Sequence, residues 1–313
     1  MAKIGQCGLI DPMIGLQSLH IKPSLLRTIG QIETFNGLWN GLDDHTTGLN
    51  LLGDVAAHGA QLKSLMEPLK NRELTLDILL ALHKTFCPGE DSGALKNAET
   101  NLDITHNGQH IGTLETAAPE DAPALITKLL GWTNEVLLDE AYHPLLIIAV
   151  FTAIFLQISP FQNGNLKLAR FLIVLLMLKA GYRYAAFASL DDAFDNHAQQ
   201  FFDTLAAHQA SIEEGKPDWQ PWLACFFSIL AQHYDLLSLQ INSGIQTKAV
   251  ADMPALSIAL IDVLQKHKRA TMKLLIDETK GRRSTIKLRM GELVDTGLVI
   301  RHGAGRGVWY SLI

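Results

Sequence analysis

The chain has 313 residues, 48% hydrophobic and 19% charged, with a formal net charge of −6. This excludes a disordered or fibrous protein and fits one large domain or two smaller ones. The charge is uneven: residues 255–313 hold 11 Lys/Arg against 5 Asp/Glu, whereas residues 1–254 hold 15 against 27. A basic tail on an acidic body predicts two domains with different partners, with nucleic acid the candidate for the basic one.

Cys7, Cys87 and Cys225 have no paired spacing. They predict neither a disulfide framework nor a zinc site, and they favour a reducing, cytoplasmic setting. The N-terminus lacks the basic region and apolar run of a signal peptide. The most apolar segment, Leu145–Ile158, is shorter than the roughly 20 residues of a spanning helix. A buried core helix and no membrane partner are expected.

Along the chain, nearly everything before residue 245 reads as helix. Leu74, Ile78, Leu79, Leu82 and Phe86 recur at helical spacing. A second helix follows Pro123, and His143-Pro144 opens the apolar helix 145–158. Another starts near Leu166 and stops at Gly181, and further helices are expected at 191–214 and 219–241. Between the first two lies NLDITHNGQHIGTLET, 101–116, which alternates around Asn107-Gly108 and predicts a hairpin with strands near 101–105 and 110–114. Its free edge could accept an extended peptide as a third strand.

Residues 242–254 read as a linker. Two helices follow, at 255–267 and 271–279, and a Lys280-Gly281 turn leads to a third that ends at Gly297. Ser284 is a candidate cap for that helix. Ile286, Met290, Leu293 and Val294 supply its buried face. Two short strands close the chain, giving the order of a winged helix-turn-helix. Such a fold places the third helix in the DNA major groove. Arg282, Arg283, Lys287 and Arg289 are the candidate contacts there, with a basic wing of Arg301, His302 and Arg306 on the backbone. Protein–protein contact or dimerisation is the other use of this shape, and a homodimer is compatible with the sequence.

The stretch with most chemistry is ISPFQNGNLKLAR, 158–170, a polar kink between two apolar helices. Its second half is the first turn of a helix, where unpaired N–H groups and the helix dipole favour an anion. Gly164 permits close approach of a ligand. Lys167 and Arg170, three apart, project from one face. Two cations beside an anion hole suit a polyphosphate, and a turn with two solvated basic residues is the alternative.

This segment resembles the signature of the Fic (Fido) family, HPFx[DE]GNGRxxR between two apolar helices. The likeness extends to LHKTF and SGALK before the hairpin, and to FFDTLAAHQ and DWQPWLACFF after the motif, covering roughly residues 20–240. It implies an all-α fold: a Fic-type helical bundle with the 101–116 hairpin as its flap, plus the winged helix. The domains would be a helical region at 1–90, the Fic core at 91–241, the linker at 242–254 and the winged helix at 255–313. The resemblance also implies transfer of AMP from ATP to a Ser, Thr or Tyr hydroxyl on a target protein. In that scheme a motif His is the base, an acidic residue holds Mg²⁺, the Gly-Asn backbone and two Arg hold phosphates, and the flap around Asn107 and Gly108 pins the target.

The departures fall on the reactive positions. Ser159 stands where the base belongs and is not competent near neutral pH. Asn163 replaces the carboxylate, which argues against Mg²⁺. Leu166 replaces the second glycine, and Lys167 cannot make the bidentate fork of Arg. Asn163, Gly164, Asn165, Lys167 and Arg170 remain as a nucleotide or phosphate cradle. His106, His110 and His143 are the nearest imidazoles, read as surface or capping residues. TIGQIETFNG, 28–37, resembles the family's inhibitory helix, with Glu33 placed to pair Arg170, although its Thr spacing and following residue depart from that pattern. The expectation is a Fic-like protein with little or no catalysis that acts by binding nucleotide, protein or DNA, with transcriptional regulation as a role. A protein adenylyltransferase using altered chemistry is the alternative.

Overall fold

The computed structural model describes residues 21–41, 64, 66–139, 141–187, 190–251, 254–295, 299–303 and 307–312. Cys7, Gly297 and Arg306 lie outside them. The chain divides into two compact units, Met1–Ile241 and Asn242–Ile313.

The larger unit is organised by one helix. Helices α1 (Pro23–Gly41), α2 (Leu76–Phe86) and α3 (Ala122–Asp139) precede α4 (Pro144–Ile158), and α5 (Asn165–Lys179) follows it. Every residue of α4 from Leu145 to Ile158 is buried. A helix apolar all round can only sit inside other helices, and α3 and α5 pack against it. Its ends are set by chemistry read from the sequence. His143 accepts the Leu145 N–H on Nδ1 at 3.3 Å, and Pro144 takes the first turn. At the other end Ser159 turns left-handed at φ 42°.

Strands β1 (Leu102–His106) and β2 (Gln109–Leu114) form the expected hairpin. Asn107 and Gly108 both take positive φ, 50° and 75°, which is why this turn wants Asn-Gly. Leu102 and Leu114 pair and face inward. The hairpin rests on α7 (Ala198–Glu213), where the Phe202 ring lies so near Gly112 that a Cβ there would stand 2.2 Å from it.

Two expected helices differ. The 191–214 stretch is split into α6 (Asp191–Asn196) and α7. At the break, His197 Nδ1 donates to the Ala193 carbonyl at 2.8 Å and the His197 N–H donates to the Phe194 carbonyl at 3.1 Å. The 219–241 helix, α8, runs over Gln220–Ala251 through much of the segment read as a linker. One glycine inside a helix costs only about 1 kcal/mol, and the nearest helix-stopping proline is Pro254.

The smaller unit continues with α9 (Ala255–His267), β3 (Ala270–Thr271), α10 (Met272–Thr279), α11 (Arg283–Asp295), β4 (Val299–His302) and β5 (Trp309–Leu312). The strands form one antiparallel sheet in the order β3-β5-β4. Sequence reading found two of the three. Thr271 hides the third, because it ends β3 and also caps α10 by accepting the Leu274 N–H. Ile286, Met290 and Leu293 of α11 are buried with Leu260, Leu264, Leu275 and Tyr310, as their spacing requires. Ser284 lies inside α11, not at its cap. Among the described residues no helix is long and apolar enough to cross a membrane.

Candidate functional site

The loop from Ser159 to Gly164 joins α4 to α5; its Ser159 hydroxyl is engaged, whereas Gln162 Oε1 is buried without a hydrogen-bond partner among the described residues and Asn163 is exposed. Ser159 is 1% exposed. Its hydroxyl donates back to the Leu156 carbonyl at 2.6 Å, closing the last turn of α4. Asn165, also buried, accepts the Phe161 N–H at 3.1 Å and donates to the Phe161 carbonyl at 2.8 Å. Its side chain thus pins the loop and is not offered to a ligand. Gly164 takes φ 79°, and a Cβ on it would meet Cys87 at 2.9 Å. Close approach does require this glycine, and the neighbour it admits is α2.

That neighbour explains much of the loop's shape. His83 of α2 is buried and its ring stacks on Phe161, centroids 3.8 Å apart and nearly parallel. The Gly93 N–H donates to Nδ1 at 2.9 Å. An N–H can only donate, so Nδ1 is bare and the proton sits on Nε2. Nε2 then donates to the Asn163 carbonyl at 3.0 Å. Below this, Lys96 is buried and donates from Nζ to the Ile158 carbonyl and to Thr116, each at 3.0 Å. Its N–H reaches the Pro160 carbonyl at 2.9 Å. A cation at the end of α4 suits the helix dipole, and burial lowers the Lys96 ammonium pKa to about 8.

Arg170 projects from α5 toward α6. Its guanidinium donates to Asp191 at 2.5 Å and to Asp195 at 3.3 Å, and it lies 5.2 Å above the Phe194 ring. Asp191 and Asp195 are one helical turn apart, so both carboxylates meet one cation. Lys167 stays exposed. It borders a cavity of about 550 Å³ between the end of α2 and the loop, shared with His83, Cys87, Asp91, Asn163 and Gly164. Burial pushes the Cys87 thiol up, and Lys167 pulls it partly back.

Glu33 does not pair Arg170. Its carboxylate accepts the Tyr182 hydroxyl and lies 3.3 Å from His143 Nε2. The helix that carries it docks through Phe35 and Trp39 on Tyr184 and Phe187, which directs Glu33 to the start of α4. Burial lowers the His143 pKa, opposed by Glu33.

The hairpin histidines make local contacts. His106 meets the Asn107 amide at 2.9 Å, and His110 meets Thr113 at 2.9 Å beside Asp103. In the smaller unit Arg282, Arg283 and Lys287 are exposed, whereas Arg289 donates to Glu292 at 2.8 and 3.1 Å.

Sequence reasoning missed His83, Lys96, Asp191 and Asp195. A signal existed for His83, which follows Leu79 and Leu82 on the apolar face of α2 and so had to be buried with partners. Asp191 and Asp195 are spaced for a shared cation, but nothing local names Arg170 as that cation.

Residues 73–177 match the family model described as Fic/DOC family. Among solved structures, a Fic family protein from Desulfovibrio desulfuricans G20 is 14% identical with a TM-score of 0.49, over 94% of this chain and 97% of that one. A Fic domain containing signaling protein from Bacteroides thetaiotaomicron VPI-5482 is 18% identical with a TM-score of 0.44, over 76% of this chain and 98% of that one. No curated protein matches.

Proposed function

We propose that this chain, whose residues 73–177 match the Fic/DOC family model, keeps the family's scaffold without its AMP-transfer chemistry and acts by binding. Arg170 carries the argument. The cation that should meet an outer phosphate is held by two carboxylates, Asp191 at 2.5 Å and Asp195 at 3.3 Å. The cluster they make has a net negative charge, which repels the anion the site would have to bind.

The reactive positions support the same reading. The Ser159 hydroxyl is buried and committed to Leu156, so no proton acceptor stands at the motif's base position. His83 is nearest in kind, but its bare nitrogen already accepts from Gly93. Asn163 brings no charge for Mg²⁺. ATP and Mg²⁺, which the family implies, therefore do not fit the residues present, and no step is routed through them. Losing a general base alone costs roughly 10²–10⁴ in rate, and losing a metal's charge costs several kcal/mol more.

Binding surfaces remain. The hairpin offers a strand edge for a protein segment. The C-terminal residues 255–313, with 11 Lys/Arg against 5 Asp/Glu, suit DNA and a role in transcriptional regulation. The test of the central reading is transfer of label from α-labelled ATP with Mg²⁺ to a bacterial lysate. The expected result is labelling at the level of a no-protein control. Strong labelling that disappears in Arg170→Ala would make the chain a protein adenylyltransferase of altered chemistry.

A further inference from the structure

The positive charges of the smaller unit are sorted by the fold. Among its described residues, Glu278 takes Lys266 and His267, and Glu292 takes Arg289. Lys273, Arg283, Lys287 and Arg301 have no ion pair among the described residues, and all four line one groove of about 1020 Å³ between α10, α11 and β4. Asp277 and Asp295 also line it, which leaves a local excess of two positive charges. Helix α11 lines the groove along its length, from Arg283 to Asp295.

We propose that this groove holds the phosphate backbone of duplex DNA through Lys273, Arg283, Lys287 and Arg301, with little dependence on base sequence. The proposal rests on the reading of the smaller unit as a DNA-binding module and specifies its mode. Three residues, Lys280 to Arg282, join α10 to α11. A short turn of this kind lets the first helix cross the backbone while the second enters the major groove. Four cations drawn from three elements match a line of phosphates better than a single acidic side chain of a protein partner. Outside the groove, the exposed face of α11 offers base edges little beyond Ser284: Leu288 is apolar and 59% exposed, and Glu292 is paired with Arg289. Affinity then comes from counterion release, which is blind to sequence.

The experiment is fluorescence anisotropy of the full chain with two unrelated duplexes across a salt series. Four phosphate contacts predict a slope of log Kobs against log salt of about −3.6. Each of Lys273→Gln, Arg283→Gln, Lys287→Gln and Arg301→Gln should reduce that slope by about 1, equally on both duplexes. Arg289→Gln should change neither affinity nor slope. A variant carrying all four substitutions should lose binding; circular dichroism of each variant reports its fold, and the exposed single variants carry the test if the fourfold one misfolds. Three results would overturn the proposal: no binding at low salt, binding undiminished without the four cations, or displacement by polyglutamate at equal charge, which would assign the groove to an acidic protein. A silent titration removes the DNA contact and leaves the reading of Arg170 standing, because the transfer assay does not involve this unit.

Discussion

In the loop around Ser159 to Arg170, the Ser159 hydroxyl, the Asn165 amide and the Arg170 guanidinium are engaged by the protein, while Asn163 and Lys167 stay exposed. In the groove of the C-terminal unit, four cations meet no carboxylate among the described residues. Arg170 lies between Asp191 and Asp195 over Phe194, whereas Lys273, Arg283, Lys287 and Arg301 border an open groove. The lesson is that a binding motif in sequence states which charges exist, and the fold decides which of them are still available.

The contrast can be broken most severely at Gly164. Alanine there needs φ near 79° and places its Cβ 2.9 Å from Cys87. The left-handed backbone costs roughly 1–2 kcal/mol, and overpacking typically adds about 1–3. Gly164→Ala should lower stability by about 3 kcal/mol in urea denaturation while DNA affinity of the folded fraction is unchanged.

Acid should separate the regions next. His208 is buried, meets Gln157 at 3.0 Å, and has its pKa lowered from 6.5 to about 4 by burial. The unfolded chain therefore takes up a proton between those values while the folded chain does not. Its contribution is complete above pH 6.5 and falls as pH drops toward 4, a loss of about 2 kcal/mol at pH 5. Urea midpoints at pH 7 and pH 5 should show that loss, and His208→Gln should flatten it.

A sharper test makes the loop resemble the groove. Asp191→Asn with Asp195→Asn frees the Arg170 guanidinium, and affinity for inorganic triphosphate should rise about tenfold, or roughly 1.4 kcal/mol. Adding Arg170→Ala should cancel the gain. The smallest effect belongs to Ser159→Ala, which removes one hydrogen bond and should cost about 1 kcal/mol with no change in transfer activity.

Much of the scaffold was legible, because local rules set it. Asn107-Gly108 dictated its turn, and the unbroken apolar run of 145–158 required a central helix. The partners of charged groups were not legible, because they depend on chain segments brought together only by folding. Arg170 finds its carboxylates 21 and 25 residues away, and Glu33 meets Tyr182 149 residues away. The motif alone allowed both the Glu33–Arg170 pair and an open cradle. The helix break at His197, which separates α6 and its aspartates from α7, is likewise not reported by any periodicity.

The most direct measurement is a calorimetric titration of ATP with Mg²⁺ into the full chain and into Arg170→Ala. If the loop's cation is already taken by Asp191 and Asp195, the two titrations will be indistinguishable and show no saturable heat. Saturable binding in the unaltered chain that vanishes with Arg170 would contradict this account.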